Sequence, residues 1–147
     1  MDSDLEPGGT RGRYRVVYHA GPSPIDTPYP FTHFGTEGAA RRRAREAIGP
    51  SQTAILHRVR LWSQNPRRTY DPMEERDLGG LILDTLPRYE EARRLLEHQA
   101  PTPAFQWWLL SRGYDGLYYR NRVEDPGTIS WINVWSWQAV VTERTVL

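Results

Sequence analysis

Residues 110–137 read LSRGYDGLYYRNRVEDPGTISWINVWSW, and no other stretch of the chain restricts its folding as strongly. Ser111-Arg112-Gly113 has the form of a helix end, because glycine is favoured where a helix must close in a left-handed conformation. Leu117-Tyr118-Tyr119 then predicts a short strand. Asn121 to Gly127 mixes Asn, Pro and Gly with charged residues, which is turn chemistry. Thr128 to Trp137 predicts a second strand, rich in β-branched and aromatic side chains with Ser130, Asn133 and Ser136 interspersed. The pattern is a hairpin with a long tip, and the tip carries the acidic pair Glu124-Asp125. A carboxylate beside an aromatic sheet edge can serve as a catalytic acid or base when partial desolvation tunes it. A solvated turn residue is the plainer reading of the same spacing.

The remaining chain supplies more punctuated elements. Arg13 to His19 (RYRVVYH) predicts a strand stopped by Ala20-Gly21-Pro22. PSPIDTPYP, residues 22–30, is too proline-rich for a helix or a central strand and predicts a stiff extended loop able to cover a pocket. Phe31 to Phe34 predicts a strand. Thr36 is an N-cap with Glu37 in the first turn, and Gly49-Pro50 stops the helix that follows. Ala40, Ala44, Ala47 and Ile48 share one face of that helix, with the arginines, including Arg41, Arg42 and Arg43, outward on a solvated face.

Thr53 to Trp62 alternates as a half-buried strand, with Ile55, His57, Val59 and Leu61 on one side and Leu56, Arg58, Arg60 and Trp62 on the other. His57 is therefore a core or sheet-face residue. Ser63 to Met73 predicts an exposed excursion. After a Gly79-Gly80 break, Leu81-Ile82-Leu83 fits either a buried strand or a helix. Thr85 to Gln99 predicts an amphipathic helix with Ala92, Leu95 and Leu96 inward and His98 at its C-terminal end. Thr102-Pro103 opens a further helix containing Phe105, Trp107 and Trp108. Two adjacent tryptophans point in different directions, so at least one meets another element or a partner.

Together these readings predict an α+β fold with several strands in two small sheets and about three helices. The 147 residues suit a single domain over 13–147, preceded by a disordered segment over 1–12. A formal net charge of +1 excludes a strong global field for nucleic acid. All 19 basic residues are Arg, for which a GC-rich genome is sufficient cause. With no cysteine, disulfides and thiolate chemistry are excluded. MDSDLEPGGTRGR contains no apolar run, which argues against a signal peptide or membrane span and predicts a cytoplasmic protein without membrane contact. No metal-ligand cluster appears.

Three islands of this sequence resemble small prokaryotic and phage ADP-ribosyltransferase-like proteins. Tyr18-His19-Ala20-Gly21 is similar to that family's first block, a strand ending in aromatic-His-Gly-[ST], with Ala20 standing where Gly is commoner. His33-Phe34-Gly35-Thr36 resembles the second block, a strand with an aromatic and a hydroxyl residue turning into a helix. GYDGLYYRNRVEDPGTISWINVW resembles the third, where a G-[YF]-D-G strand is followed by Asn-x-x-Glu and another strand.

The resemblance implies an ADP-ribosyltransferase-like fold and NAD as substrate. It assigns the acid that helps the nicotinamide glycosidic bond break to Glu124, with Asp125 as the alternative. His19 would contact the adenosine ribose, and Ala20 and Gly21 would hold the nicotinamide amide. Tyr18, Phe34, Thr36 and Tyr119 would pack around the nicotinamide, with His33 a further candidate. The implied activity is mono-ADP-ribosyl transfer to a macromolecular acceptor by a phage or bacterial effector, or NAD hydrolysis with water as acceptor. A second function class is an inert inhibitor docking a protein partner through Trp62, Trp107, Trp135 or Trp137. A third is weak nucleic-acid binding through Arg41-Arg42-Arg43 and Arg67-Arg68.

Overall fold

A computed structural model describes residues 14–48, 52–73 and 77–147. The expected disordered segment over 1–12, the strand start at Arg13 and the helix stop at Gly49-Pro50 lie outside the described residues. The architecture is α+β, with two small sheets and four α-helices among the described residues. The chain runs through β1 (Tyr14–Gly21), β2 (His33–Phe34), α1 (Glu37–Arg43, continued by a π-helical turn over Ala44–Ile48) and β3 (Ile55–Trp62). β4 (Pro66–Arg68), α2 (Leu78–Thr85), α3 (Tyr89–Leu96) and α4 (Pro101–Ser111) follow. β5 (Gly116–Arg120), β6 (Ile129–Asn133), a 3-10 turn (Ser136–Gln138) and β7 (Ala139–Val146) complete it.

One sheet has the order β1-β3-β7 and is antiparallel throughout, with a bulge at Arg58/Val59. The other has the order β2-β6-β5-β4, in which β4 pairs parallel with β5. Tyr18 and Gly35 join the two sheets by a pair of backbone hydrogen bonds of 2.8 and 2.9 Å. Between the sheets lie Val17, Phe34, Val59, Leu61, Trp131 and Ala139. Helices α2, α3 and α4 bury Leu81, Ile82, Ala92, Phe105 and Leu109 with Leu117, Ile132 and Val134. Under α1, Ala40 and Ala44 meet Ala20, Ala54 and Leu56, small side chains that let the helix approach the sheet closely. Arg15 is buried at 2% exposure, where its guanidinium is attracted to the face of the Trp131 ring, 4.0 Å from the centroid, and its Nη1 donates to the Ser63 carbonyl.

Several expectations are corrected. β1 continues through Ala20-Gly21 and stops at Pro22, since pairing with Leu56 and Ile55 outweighs the local stop signal. Phe31 is a turn residue with φ 63°, so β2 holds only His33 and Phe34. Part of the Ser63–Met73 excursion is strand β4, where Pro66 is tolerated because it occupies an edge. Gly79 and Gly80 do not break the chain but lie in the first turn of α2, capped by the Asp77 carboxylate accepting from the Gly80 N–H.

The predicted helix over Thr85–Gln99 divides at Leu86-Pro87-Arg88, because a proline here has no N–H for the helix ladder. Its C-terminal piece ends at Leu96, which leaves His98 beyond the helix, accepting the Ala100 N–H at its Nδ1. α4 begins at Pro101, with Ala100 as N-cap in place of Thr102. The second hairpin strand is interrupted after Asn133 by the 3-10 turn, which Gln138 fixes by accepting from the Val134 and Trp135 amides. β7 is an additional strand whose V-V-T-E-R-T-V pattern carried the necessary β-branched signal. No helix among the described residues is long and apolar enough to cross a membrane.

Candidate functional site

The hairpin tip is built around one side chain. Asn121 is 2% exposed and uses the full capacity of its amide. Its Oδ1 accepts from the Val123 and Asp125 amides at 3.1 and 2.9 Å, and its Nδ2 donates to Ser130 Oγ and Glu124 Oε2, both at 3.1 Å. Its backbone closes the loop as well, with its N–H on the Thr128 carbonyl and its carbonyl accepting from Gly127. A turn that would otherwise be solvated is thereby tied down, and Glu124 is turned inward. The Glu124 side chain is only 7% exposed, and its Oε1 lies 4.0 Å from Arg43 Nη1.

The neighbouring acid goes elsewhere. Asp125 accepts a short hydrogen bond from the Thr36 hydroxyl, which itself accepts from the Ala39 N–H as the N-cap of α1. The two acids therefore have separate tasks, with Glu124 lining a cleft and Asp125 fastening the hairpin tip to the start of α1.

The start of β5 is set by the G-Y-D-G sequence. Gly113 has φ 82°, a left-handed conformation that glycine adopts without a Cβ penalty. Asp115 accepts from Ser63 Oγ, the Gln64 amide and the Asn65 amide at 2.8–2.9 Å. A Cβ on Gly116 would stand 2.5 Å from Ser63 Oγ, so this close approach requires glycine. These contacts fix where β5 begins and hence where Tyr119 and Asn121 fall.

The cleft is lined by Tyr18, His19 and Ala20 from β1, by His33, Phe34 and Gly35 around β2, and by Ala39, Ala40 and Arg43 of α1. Tyr119, Asn121, Glu124 and Ser130 close it from the hairpin. Segments around residues 18–20, 33–43 and 119–130 thus meet in one place of about 280 Å³, counting its open mouth. A larger, shallower depression of about 730 Å³ lies over Arg67, Arg68, Tyr70 and Leu83–Pro87. The smaller cleft is distinguished by its groups, a buried carboxylate (Glu124), a part-exposed guanidinium (Arg43) and the imidazoles of His19 and His33.

The expected site residues separate into two sets. Tyr18, His19, Ala20, Phe34, Tyr119 and Glu124 line the cleft, while Gly21 and Thr36 do not. Phe34 and Tyr119 are each 1% exposed and act as walls; Tyr18 is half-buried and offers ring surface. His19 Nδ1 donates to the His33 carbonyl at 2.9 Å, which makes it the protonated ring nitrogen, since a carbonyl can only accept. His33 Nδ1 lies 3.1 Å from the Tyr119 hydroxyl.

The solvated face expected for all three arginines does not hold for Arg43. Arg41 and Arg42 do lie outward in i,i+4 pairs with Glu37 and Glu46, but Arg43 reaches the cleft. The signal was available in the sequence, because Arg43 follows Ala39 and Ala40 by four and three residues and so shares their buried face. Asn121 was read only as turn chemistry. Its role needed the partners from β6 and the loop to become visible.

Of the tryptophans proposed to dock a partner, Trp107 and Trp137 are 69% and 63% exposed, and Trp62 and Trp135 are half-buried. No family model, curated protein or solved structure matches the chain.

Proposed function

We propose that the chain is an NAD-dependent mono-ADP-ribosyltransferase with an ADP-ribosyltransferase-like fold, and that Glu124 is its catalytic acid group. The observation that carries this reading is the convergence of three separate segments on one cleft, each segment being one of the islands that resemble that family. Its chemistry suits the substrate. NAD has a cationic nicotinamide, an anionic diphosphate and two riboses. A buried carboxylate (Glu124), a guanidinium at the lip (Arg43) and a ring surface (Tyr18) offer a complement to the first two.

Most of the 280 Å³ is open mouth, and the enclosed part is far smaller than the roughly 300–1,000 Å³ usual for ligand sites. In this reading the nicotinamide and its ribose occupy the open mouth beside Glu124, with the adenosine half extending along the His19 side. As the bond to nicotinamide breaks, positive charge develops on the ribose, and the fixed Glu124 carboxylate opposes it. Asn121 holds that carboxylate in place before the reaction, so little reorganisation is needed. The walls formed by Phe34 and Tyr119 limit water. The acceptor is a macromolecule in this reading and water in the glycohydrolase alternative.

A protein-docking role on the same fold is favoured by one specific observation, the exposure of Trp107 and Trp137. Nucleic-acid binding gains less, since Arg41 and Arg42 are engaged with glutamates and Arg67 packs against Trp108 and Tyr114. Incubation of the purified protein with NAD and a bacterial lysate, read by nicotinamide release and by the mass of one added ADP-ribose, tests the assignment. Glu124→Gln should lower the rate on the order of a hundredfold without unfolding the chain. Loss with Asp125→Asn alone would shift the assignment by one residue, and activity in neither the wild type nor any variant would leave the docking role.

A further inference from the structure

The segment that carries His19 and leads towards β2 is held by a buried imidazole that has no place in the reaction proposed above. His57 lies on β3, the central strand of its sheet, 1% exposed and directly opposite His19 of β1 and Arg144 of β7. Its Nδ1 lies 3.2 Å from the His19 carbonyl, and its Nε2 lies 2.9 Å from the Ile25 backbone nitrogen. These partners decide the ring's state. A carbonyl only accepts, so Nδ1 carries the proton; a backbone N–H only donates, so Nε2 offers a lone pair. Ile25 is held from its other side as well, its carbonyl accepting from Arg144 Nη2 at 2.7 Å and Nε at 3.2 Å. The loop between the two cleft walls formed by β1 and β2 is thus anchored at Ile25, and His57 ties that anchor to the backbone of His19.

We propose that His57 is a positioning residue: as the neutral Nδ1–H tautomer it ties the Ile25 amide to the His19 carbonyl, and its protonation releases the Ile25 end of the loop that follows the cleft residues His19 and Ala20. A second proton would sit on Nε2 and face the Ile25 N–H, donor against donor. The charged and titratable groups around the ring do not favour that proton. His19 of β1 has its ring centroid 6.1 Å away, Arg144 of β7 is cationic, and Asp26 of the loop is fully exposed and bound to Arg144 at 3.2 Å. Burial, the largest effect, lowers the His57 pKa; the hydrogen bond to His19 opposes this and Arg144 adds to it. The folded pKa is therefore below the unfolded value of about 6.5, so the tie is complete above that pH and is lost as pH falls through the folded pKa.

The test has a structural arm and a ligand arm, and only the ligand arm rests on the NAD reading. Imidazole ¹⁵N spectra of the full chain should show His57 as the Nδ1–H tautomer at pH 7.5. Protection of the Ile25 amide from hydrogen exchange, corrected for intrinsic rate, should fall about tenfold in step with His57 protonation, as expected for loss of one part-buried hydrogen bond. His57→Gln can donate to the His19 carbonyl and accept from Ile25, so it should retain protection and lose the pH step. His57→Phe should expose the Ile25 amide at every pH; if it does not fold, the wild-type titration and the glutamine variant still decide. An Nε2–H tautomer, or Ile25 protection indifferent to His57 protonation, overturns the proposal. In the ligand arm, thermal stabilisation by NAD should weaken on the same titration in the wild type and not in His57→Gln. A positive structural arm with no NAD effect at any pH would count against the NAD reading and leave the His57 tie standing.

Discussion

Replacing Asn121 by alanine removes the side chain around which the hairpin tip is organised, and the structure sets the size of the effect. Four hydrogen bonds disappear together. The bond to the Glu124 carboxylate is charge-assisted and partly desolvated, in the class worth about 1.5–3 kcal/mol. Those to Ser130 and to the Val123 and Asp125 amides are neutral, at about 0.5–1.5 kcal/mol each. The two amides are half-buried and can recover water, which places them at the lower end. A combined loss of about 3–5 kcal/mol follows, a fall in melting temperature of about 6–20 °C for a chain of this length. Urea denaturation followed by circular dichroism measures it. Asn121→Asp supplies a second reading, because it keeps the acceptor and sets a carboxylate against Glu124. One of the two acids then has its folded pKa raised above the unfolded value, so the variant should be least stable near neutrality and recover as pH falls into the carboxylate range. A loss below about 1 kcal/mol for Asn121→Ala, against the range expected from its buried bonds, would refute the organising role.

Further outcomes follow from the same geometry. Arg41→Gln with Arg42→Gln should leave the melting temperature nearly unchanged, since both are exposed ion pairs. Arg43→Gln should weaken NAD binding about tenfold in calorimetry, and equal behaviour of all three arginines would refute the distinction. Gly116→Ala forces a Cβ into the space of Ser63 Oγ and should cost about 1–3 kcal/mol in thermal denaturation, with a neutral result showing that the Ser63 turn yields freely. NAD at a hundred times its dissociation constant should stabilise the fold by about 2.7 kcal/mol in a thermal-shift experiment. No shift at millimolar NAD would favour the docking role.

Local signals reveal those elements whose causes are local. Thr36 caps α1, Gly113 ends α4 in a left-handed conformation, and β3 alternates from His57 to Trp62 as its sequence predicts, although Leu56 of the opposite face is buried too, under α1. The errors occur where distant partners decide. β4 is a proline-led strand that exists because β5 offers it an edge, and the two glycines of α2 are held helical by the Asp77 cap and the packing of Leu81 and Ile82. β1 extends past its apparent stop because β3 continues beside it.

The candidate site divides along the same line. Glu124 was legible as an acid in the loop of a hairpin, and Tyr18 and His19 as residues near the Gly21-Pro22 end of a strand; the structure sets all three on the cleft. Glu124 and Asp125 were indistinguishable by composition, being adjacent acids in one turn. Their separation is imposed by Thr36 on one and Asn121 on the other, residues that lie 89 and 3 positions away from their acids. Arg43 was obscured by its neighbours, since a run of three arginines conceals the one on the alanine face. A helical wheel drawn from the cap at Thr36 would have isolated it. Asn121 offered no such cue, because an asparagine followed by charged residues, Pro and Gly describes any solvated turn. Its function arises only when its amide is saturated on all sides. A turn can hold a carboxylate still against the cleft because one buried neutral side chain has no hydrogen-bonding capacity left to spend elsewhere.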